Sequence, residues 1–267
     1  MNIDDRFHAY PMTDRLALCL SPRRERLAHL EAMAMERLRS FIATHRTSLA
    51  LSFGKDSMTL LHLLYRANLL ERLVMVMWNA CGMDTPDTLA MRDYVVERYS
   101  LGDLYVETVP DEETLERTLH MVDVSAHHPT RDFVYECLEQ PRWRALDERE
   151  VDGVILGVRG DESKGRAMHV AMRGPEYWSR REKADILMPI ARWATEDVFR
   201  YAAWRDVPLH PIYHRAPALG FPRKYVRLAS PVDLTAGTRG GITLLKRLYP
   251  DTYRRYVSLA PDVTTLA

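Results

Sequence analysis

Ser48-Leu49-Ala50-Leu51-Ser52-Phe53-Gly54-Lys55-Asp56-Ser57 joins two kinds of sequence within ten residues. Ser48 to Phe53 reads as a short buried strand, and Asp56 to Leu70 as a strongly apolar helix. The turn between them carries what an anionic polyphosphate needs. Gly54 lets the backbone come close to a ligand. A helix opening near Asp56 offers unpaired N–H groups and the positive end of its dipole. Lys55 adds a full charge, and the hydroxyls of Ser52 and Ser57 can donate to phosphate oxygens. Only five of the 37 basic residues are Lys, so a Lys at this turn points to a need for a compact ammonium. The stretch has neither the Gly-x-x-x-x-Gly-Lys-Ser/Thr of a Walker loop nor a Gly-x-Gly-x-x-Gly fingerprint.

Working outward, Ser21-Pro22 reads as a helix start, an N-cap followed by proline at the first helical position. Leu27, Leu30, Ala34, Leu38 and Phe41 then recur at three- and four-residue steps, to about Thr44. Downstream, strands are expected at Leu73–Trp78, Gly102–Val106, Gly153–Gly157 and Ile186–Pro189. Helices are expected at Pro86–Tyr99 and Thr195–Arg205, with a helical and irregular stretch running to about Val151. Strands alternating with helices imply right-handed crossovers and a parallel sheet covered on both faces, a doubly wound α/β fold. Such sheets bind ligands beyond the carboxyl ends of their strands, where strand order reverses. Beyond Pro208 the periodicity weakens among Pro211, Pro217, Pro222 and Pro231, before a closing helix at Thr243–Val257. The expected division is an N-terminal helical segment (1–45), an α/β unit (46–213) and a loop-rich basic segment (214–267).

Composition sets outer bounds. A formal net charge of zero argues against a strongly basic nucleic-acid coat. The charge is uneven, however: His214 to Arg247 holds seven Lys/Arg against the single acid Asp233. That stretch is either a solvated face or a site for an anionic partner. No apolar run approaches the roughly 20 residues that cross a bilayer, and Met1 to Arg6 lacks the pattern of a secretory signal. A cytoplasmic protein without membrane attachment is expected. Cys19, Cys81 and Cys137 are dispersed, with no C-x-x-C, so no disulfide framework or zinc site is indicated. Cys81 reads as a buried, inert residue, and His120, His127 and His128 show no metal-ligand spacing.

The turn at Ser52 to Ser57 resembles the PP-loop, Ser-Gly-Gly-Lys-Asp-Ser, of the adenine-nucleotide α-hydrolases, departing only at Phe53. A Phe there is compatible with the loop if it ends the strand with a negative φ. Further along, Gly157-Val158-Arg159-Gly160-Asp161-Glu162-Ser163-Lys164-Gly165-Arg166 resembles the Gly-x-Arg-x-x-Glu-Ser-x-x-Arg segment of the phosphoadenosine phosphosulfate (PAPS) reductase-like family. Pro189-Ile190, Trp193, Asp197-Val198 and Pro208-Leu209-His210-Pro211-Ile212-Tyr213 are similar to further elements of that family, in its order. Gly82 to Thr88 resembles its loop after the second strand, with Pro86 and Thr88 matching.

The resemblance implies a Rossmann-like α-hydrolase fold and an ATP pyrophosphatase or adenylyltransferase, with ATP and Mg²⁺ as cofactors. Ser52, Phe53, Gly54, Lys55, Asp56, Ser57 and Gly157 would bind the nucleotide, with Lys55 neutralising the departing pyrophosphate. Asp56 would assist the metal or cap the helix. Arg159 and Arg166 would hold the acceptor or the α phosphate through their planar forks, with Glu162 orienting one of them. Lys164 would add to the field. Trp193 reads as packing, Asp197 as a first-turn helix charge, and Thr195 as a cap. The reductase's C-terminal Cys is missing, since no Cys follows Cys137, so a thiol attack is not expected. The acceptor stays open. Nucleic-acid thiolation or phosphorothioation would need a sulfur donor such as a cysteine desulfurase, and a sulfate adenylyltransferase small subunit would need a GTPase partner. The chain is expected as a homo-oligomer or as a subunit of a complex. A non-catalytic nucleotide-binding regulatory subunit, marked by Phe53, is the third reading.

Overall fold

The computed structural model describes residue 7 and residues 24–119, 131–226, 228 and 241–261. Helix α1 (Arg24–Thr44) turns Leu27, Ala34, Leu38 and Phe41 inward, as their spacing requires. Its expected start at Ser21-Pro22 lies outside the described residues. Strand β1 (Thr47–Ala50) leads into α2 (Lys55–Arg66), and β2 (Met75–Asn79) into α3 (Pro86–Arg98). After β3 (Tyr105–Thr108) comes α4 (Glu112–Leu119). Arg131–Phe133 then passes through a π-helical turn, Val134–Glu139, into α5 (Gln140–Glu148). Strand β4 (Gly153–Ile155), α6 (Lys164–Arg173), β5 (Glu176–Ser179), β6 (Ala184–Leu187) and α7 (Thr195–Arg205) complete the α/β unit.

The six strands lie in the order β3-β2-β1-β4-β6-β5. The chain winds outward from β1 through β2 to β3, then returns to lay β4 on the other side of β1. Order therefore reverses between β1 and β4, whose diverging carboxyl ends open a crevice. β5 departs from the expected all-parallel sheet, because it runs antiparallel to β6. Its residues alternate between exposed and half-buried, too polar a pattern for a strand buried on both faces. β1 and β4 are shorter than expected. Their ladders nevertheless run one bond further, from Leu51 N to Met77 O (2.8 Å) and from Leu156 N to Leu187 O (2.9 Å).

Two apolar layers flank the sheet. Met75 and Met77 of β2 join Val154, Ile186, Ala145 and Leu146 on one face. Val76 and Trp78 alternate to the other face, against Leu49, Ile155, Leu187 and the apolar sides of α1, α2 and α7. Full burial of each such side chain contributes about 1.5–3 kcal/mol.

The C-terminal segment is packed into this second layer. Helices α8 (Ile212–Ala218), α9 (Gly241–Leu248) and α10 (Pro250–Leu259) contribute Ile212, Leu245 and Tyr256 to the cluster that holds Leu38 and Leu61. The single closing helix expected over Thr243–Val257 is two helices, because Pro250 has no N–H to continue α9 and opens α10 instead. Asp87 Oδ2, at the start of α3, accepts from Arg215 Nη1 (2.6 Å) and from the Tyr249 hydroxyl (2.8 Å). Several cations of the basic stretch are engaged locally: Arg215 in that pair, Arg223 over the ring of Phe199, Lys224 over Tyr225 and Lys246 over Tyr253.

Candidate active site

The loop between β1 and α2 is tighter than its sequence implied. Phe53 has φ 55°, in the left-handed region, where a negative value was expected. A left-handed residue costs roughly 1–2 kcal/mol without glycine. The Phe53 ring is fully buried and stands edge-on to Trp78, with centroids 5.0 Å apart. Burial of that size, about 1.5–3 kcal/mol, offsets the backbone cost. Gly54 is extended (φ −73°), so its requirement is closeness: a Cβ would sit 3.3 Å from Ser52 Oγ and 3.4 Å from the Leu228 carbonyl oxygen. Ser57 works inside the loop, its Oγ accepting from Ser52 N and donating to Gly54 O, both at 3.1 Å. Ser52 is exposed, its Oγ 3.2 Å from that of Ser57.

Lys55 is the first residue of α2 and is buried, not on an exposed loop. Its Nζ donates to Asp56 Oδ2 at 2.7 Å, and Asp56 Oδ1 accepts from Arg159 Nε at 2.6 Å. Both carboxylate oxygens of Asp56 are thus in ion pairs. A magnesium ion on Asp56 would share the carboxylate with Lys55 and Arg159, whose two positive charges oppose a further cation there. Among the described residues no three His, Cys, Asp or Glu side chains gather as a metal site.

Arg159, expected to hold an acceptor, is fully buried and turned inward. Besides Asp56 it donates from Nη1 to the Trp193 carbonyl (3.1 Å) and from Nη2 to Thr195 Oγ1 (3.2 Å), with Asp161 Oδ2 3.5 Å away. Beyond the end of β4, Arg159 thus ties Asp56 at the start of α2 to Trp193 and Thr195 at the start of α7. Thr195 is likewise not a cap: Ala194 precedes α7, and Asp197 accepts from its N–H (3.1 Å).

Arg166 does face the crevice, on the first turn of α6. Glu162 orients it, accepting from its Nη1 and from the backbone N of Arg159 (3.0 Å). Gly157, just past the end of β4, lies against the first turn of α2. A Cβ there would lie 3.0 Å from Ser57 N and 3.1 Å from the Asp56 carbonyl carbon. Lys164 is exposed and borders a separate hollow with Gly160 and Val170.

Together these residues border a cleft of about 560 Å³ at the β1/β4 switch point. Ser52, Gly54, Lys55, Asp56, Ser57, Gly157 and Arg166 line it; Phe53 and Arg159 do not. Its other wall comes from residues given no role by the sequence: Asn79 at the end of β2, Asp84 in the loop beyond it, Thr88 on α3, Arg142 on α5, and Tyr213. Thr88 and Tyr213 stood within matched motifs, but nothing in a motif shows which member turns toward the ligand. Arg142 carried no signal, because its stretch has no clear period. Burial pushes the Asp84 carboxyl up to about 6, and its Oδ2 accepts from Cys81 N (3.1 Å). Cys81 is buried as expected, and burial with the neighbouring Asp84 pushes its thiol well up, which disfavours the thiolate. His120, His127 and His128 lie outside the described residues. No described helix is long and apolar enough to cross a membrane.

A phosphate loop between strand and helix, at the switch point of an open sheet, defines a PP-loop protein of the adenine-nucleotide α-hydrolase type. Within that class the chain belongs to the phosphoadenosine phosphosulfate reductase domain family, which matches residues 46–258. It is similar to sulfate adenylyltransferase subunit 2 of Methylobacterium sp. (strain 4-46), 29% identical over 220 residues, covering 73% of this chain and 68% of that one. It spans 64% of the same subunit from Rhizobium tropici, to which it is 28% identical over 69% of its own length. A phosphoadenosine 5'-phosphosulfate reductase of Xanthomonas campestris pv. campestris is 27% identical over 199 residues, covering 70% of this chain and 76% of the reductase. The crystal structure of phosphoadenylyl-sulfate reductase from Candida auris shares the fold, with a TM-score of 0.54 and 17% identity over 79% of this chain and 97% of that one.

Proposed function

We propose that the chain is an ATP-using enzyme of sulfur chemistry that cleaves ATP between the α and β phosphates and passes the adenylyl group to an acceptor. The observation that carries this reading is the convergence of Lys55, the Gly54 turn and Arg166 on one cleft. An acceptor oxygen attacks the α phosphorus, the bond to the β-phosphate oxygen breaks, and pyrophosphate leaves. Lys55 and the amino end of α2 are placed to stabilise charge gathering on that leaving group. Arg166, held by Glu162, suits the acceptor or the α phosphate. Arg159 and Asp56 hold Lys55 in register. A reductase reading lacks support among the described residues, since Cys81 and Cys137 are both buried.

The family names favour a sulfur oxyanion as acceptor, with sulfate the simplest. A nucleic-acid acceptor with a sulfur-donor protein is the second reading; the local pairing of Arg215, Arg223, Lys224 and Lys246 weakens the case for a free basic face to bind it. The test is ATP labelled at the α phosphate, incubated alone, with sulfate, and with oligonucleotide plus a cysteine desulfurase. AMP or an adenylylated product with pyrophosphate is expected. ADP as the first product overturns the proposal.

A further inference from the structure

One of the first-turn amides of α2, a group that would ordinarily meet a phosphate, is already taken. Lys55 N donates to the Tyr213 hydroxyl oxygen at 3.1 Å, across a buried contact. Ser57, a second expected donor, directs its hydroxyl to Gly54 O. Tyr213 itself lines the cleft, and its oxygen accepts from Lys55. Its own proton has no acceptor among the described residues. Burial disfavours the phenolate, so that proton is retained.

Both the ring and the backbone of Tyr213 are held in place. Phe199 stands edge-on to it, with centroids 5.5 Å apart. Tyr213 N donates to His210 O (3.1 Å). His210 is anchored in turn. Its Nδ1 accepts from Ile212 N (3.1 Å), which leaves the proton on Nε2 to donate to Thr88 Oγ1 (3.2 Å). The segment from Pro208 to Tyr213 therefore ties the first turn of α3 to the first turn of α2.

We infer that Tyr213 is a phosphate-binding residue of the cleft, its hydroxyl relaying the helix amide: Lys55 N–H to Tyr213 O, and Tyr213 O–H to a phosphate oxygen. A hydroxyl that already accepts a hydrogen bond is a stronger donor, and an anionic acceptor strengthens the pair. The inference rests on the nucleotide-site reading above. It adds a neutral, preoriented donor that the loop motif does not contain.

The test is calorimetric titration of the full chain with inorganic pyrophosphate, ATP and adenosine. Tyr213→Phe removes only the hydroxyl. It should weaken pyrophosphate and ATP by about tenfold or more, the usual cost of a hydrogen bond to a charged group, and leave adenosine within twofold. Equal loss for all three ligands, or no loss for pyrophosphate, overturns the inference. Should the variant fail to melt cooperatively, 3,5-difluorotyrosine placed at position 213 keeps the ring and makes the hydroxyl a stronger donor. Pyrophosphate should then bind more tightly at about pH 5.5, where the acidified phenol keeps its proton, and unchanged or weaker binding there overturns the inference. If the unaltered protein binds neither pyrophosphate nor ATP, the nucleotide-site reading itself fails, and this one with it.

Discussion

Lys55, Asp56 and Arg159 form a line of alternating charge, and each residue depends on the next. Lys55→Ala should abolish ATP turnover, because on the proposed reading Lys55 brings the positive charge of the β1–α2 turn to the leaving pyrophosphate. Its buried setting also changes the expected stability. Losing one partner of Asp56, with Arg159 still paired, should cost about 1–3 kcal/mol, read by urea unfolding. Turnover within a few-fold of normal would remove Lys55 from the chemistry. Asp84 makes a second prediction, through pH. The folded state holds its proton up to about 6, whereas the unfolded chain releases it near the usual aspartate value of about 4. Between those pH values the folded state binds more protons, so stability falls as pH rises through the window and stays low above it. Asp84→Asn should flatten that decline and make the protein more stable at pH 8 by about 1–3 kcal/mol, with little difference at pH 4. Parallel pH profiles for the two proteins would refute the assignment.

Among the elements, the turn leaving β4 and the start of α2 meet more closely than side chains allow. Gly157→Ala would place a carbon against the backbone of Asp56 and Ser57, where only movement of the helix start can relieve it. The amino end of α2 should shift and nucleotide affinity fall at least tenfold, with a lowered melting temperature. Normal ATP binding by the variant would show that the approach has slack. The sequence made Gly157 visible, and Lys55 and Arg166 too, because strand endings and motif spacing are local. It also placed α1, α2, α3 and α7 within a few residues, since their apolar periods persist over several turns. What it concealed depended on contacts distant in the chain. Phe53 accepts a left-handed backbone because Trp78 is there to pack against it. Arg159 turns inward because Asp56, Trp193 and Thr195 together take its donors, and none of these is near it in sequence. β5 escaped notice because a half-polar edge strand has no apolar run to mark it.

At the scale of the molecule, the C-terminal helices reach back over the amino end of α3. Asp87 is the tie, meeting Arg215 and Tyr249 at once. Asp87→Ala should loosen α8 to α10 from the sheet, costing about 1–3 kcal/mol and exposing the segment to limited proteolysis. Unchanged cleavage would mean that the apolar contacts of Leu245 and Tyr256 suffice to hold it. That segment also carries Tyr213, so its attachment bears on the phosphate loop. The amides of a helix's first turn normally face solvent and exchange their hydrogens within seconds to minutes. The Lys55 amide is different, being closed by a side chain 158 positions further along the chain. Its exchange should be slow and should report one event, the lifting of the Pro208–Tyr213 segment from the loop. Deuterium uptake at that single amide would thus serve as a clock for the opening of the cleft, readable with no ligand added and no residue changed.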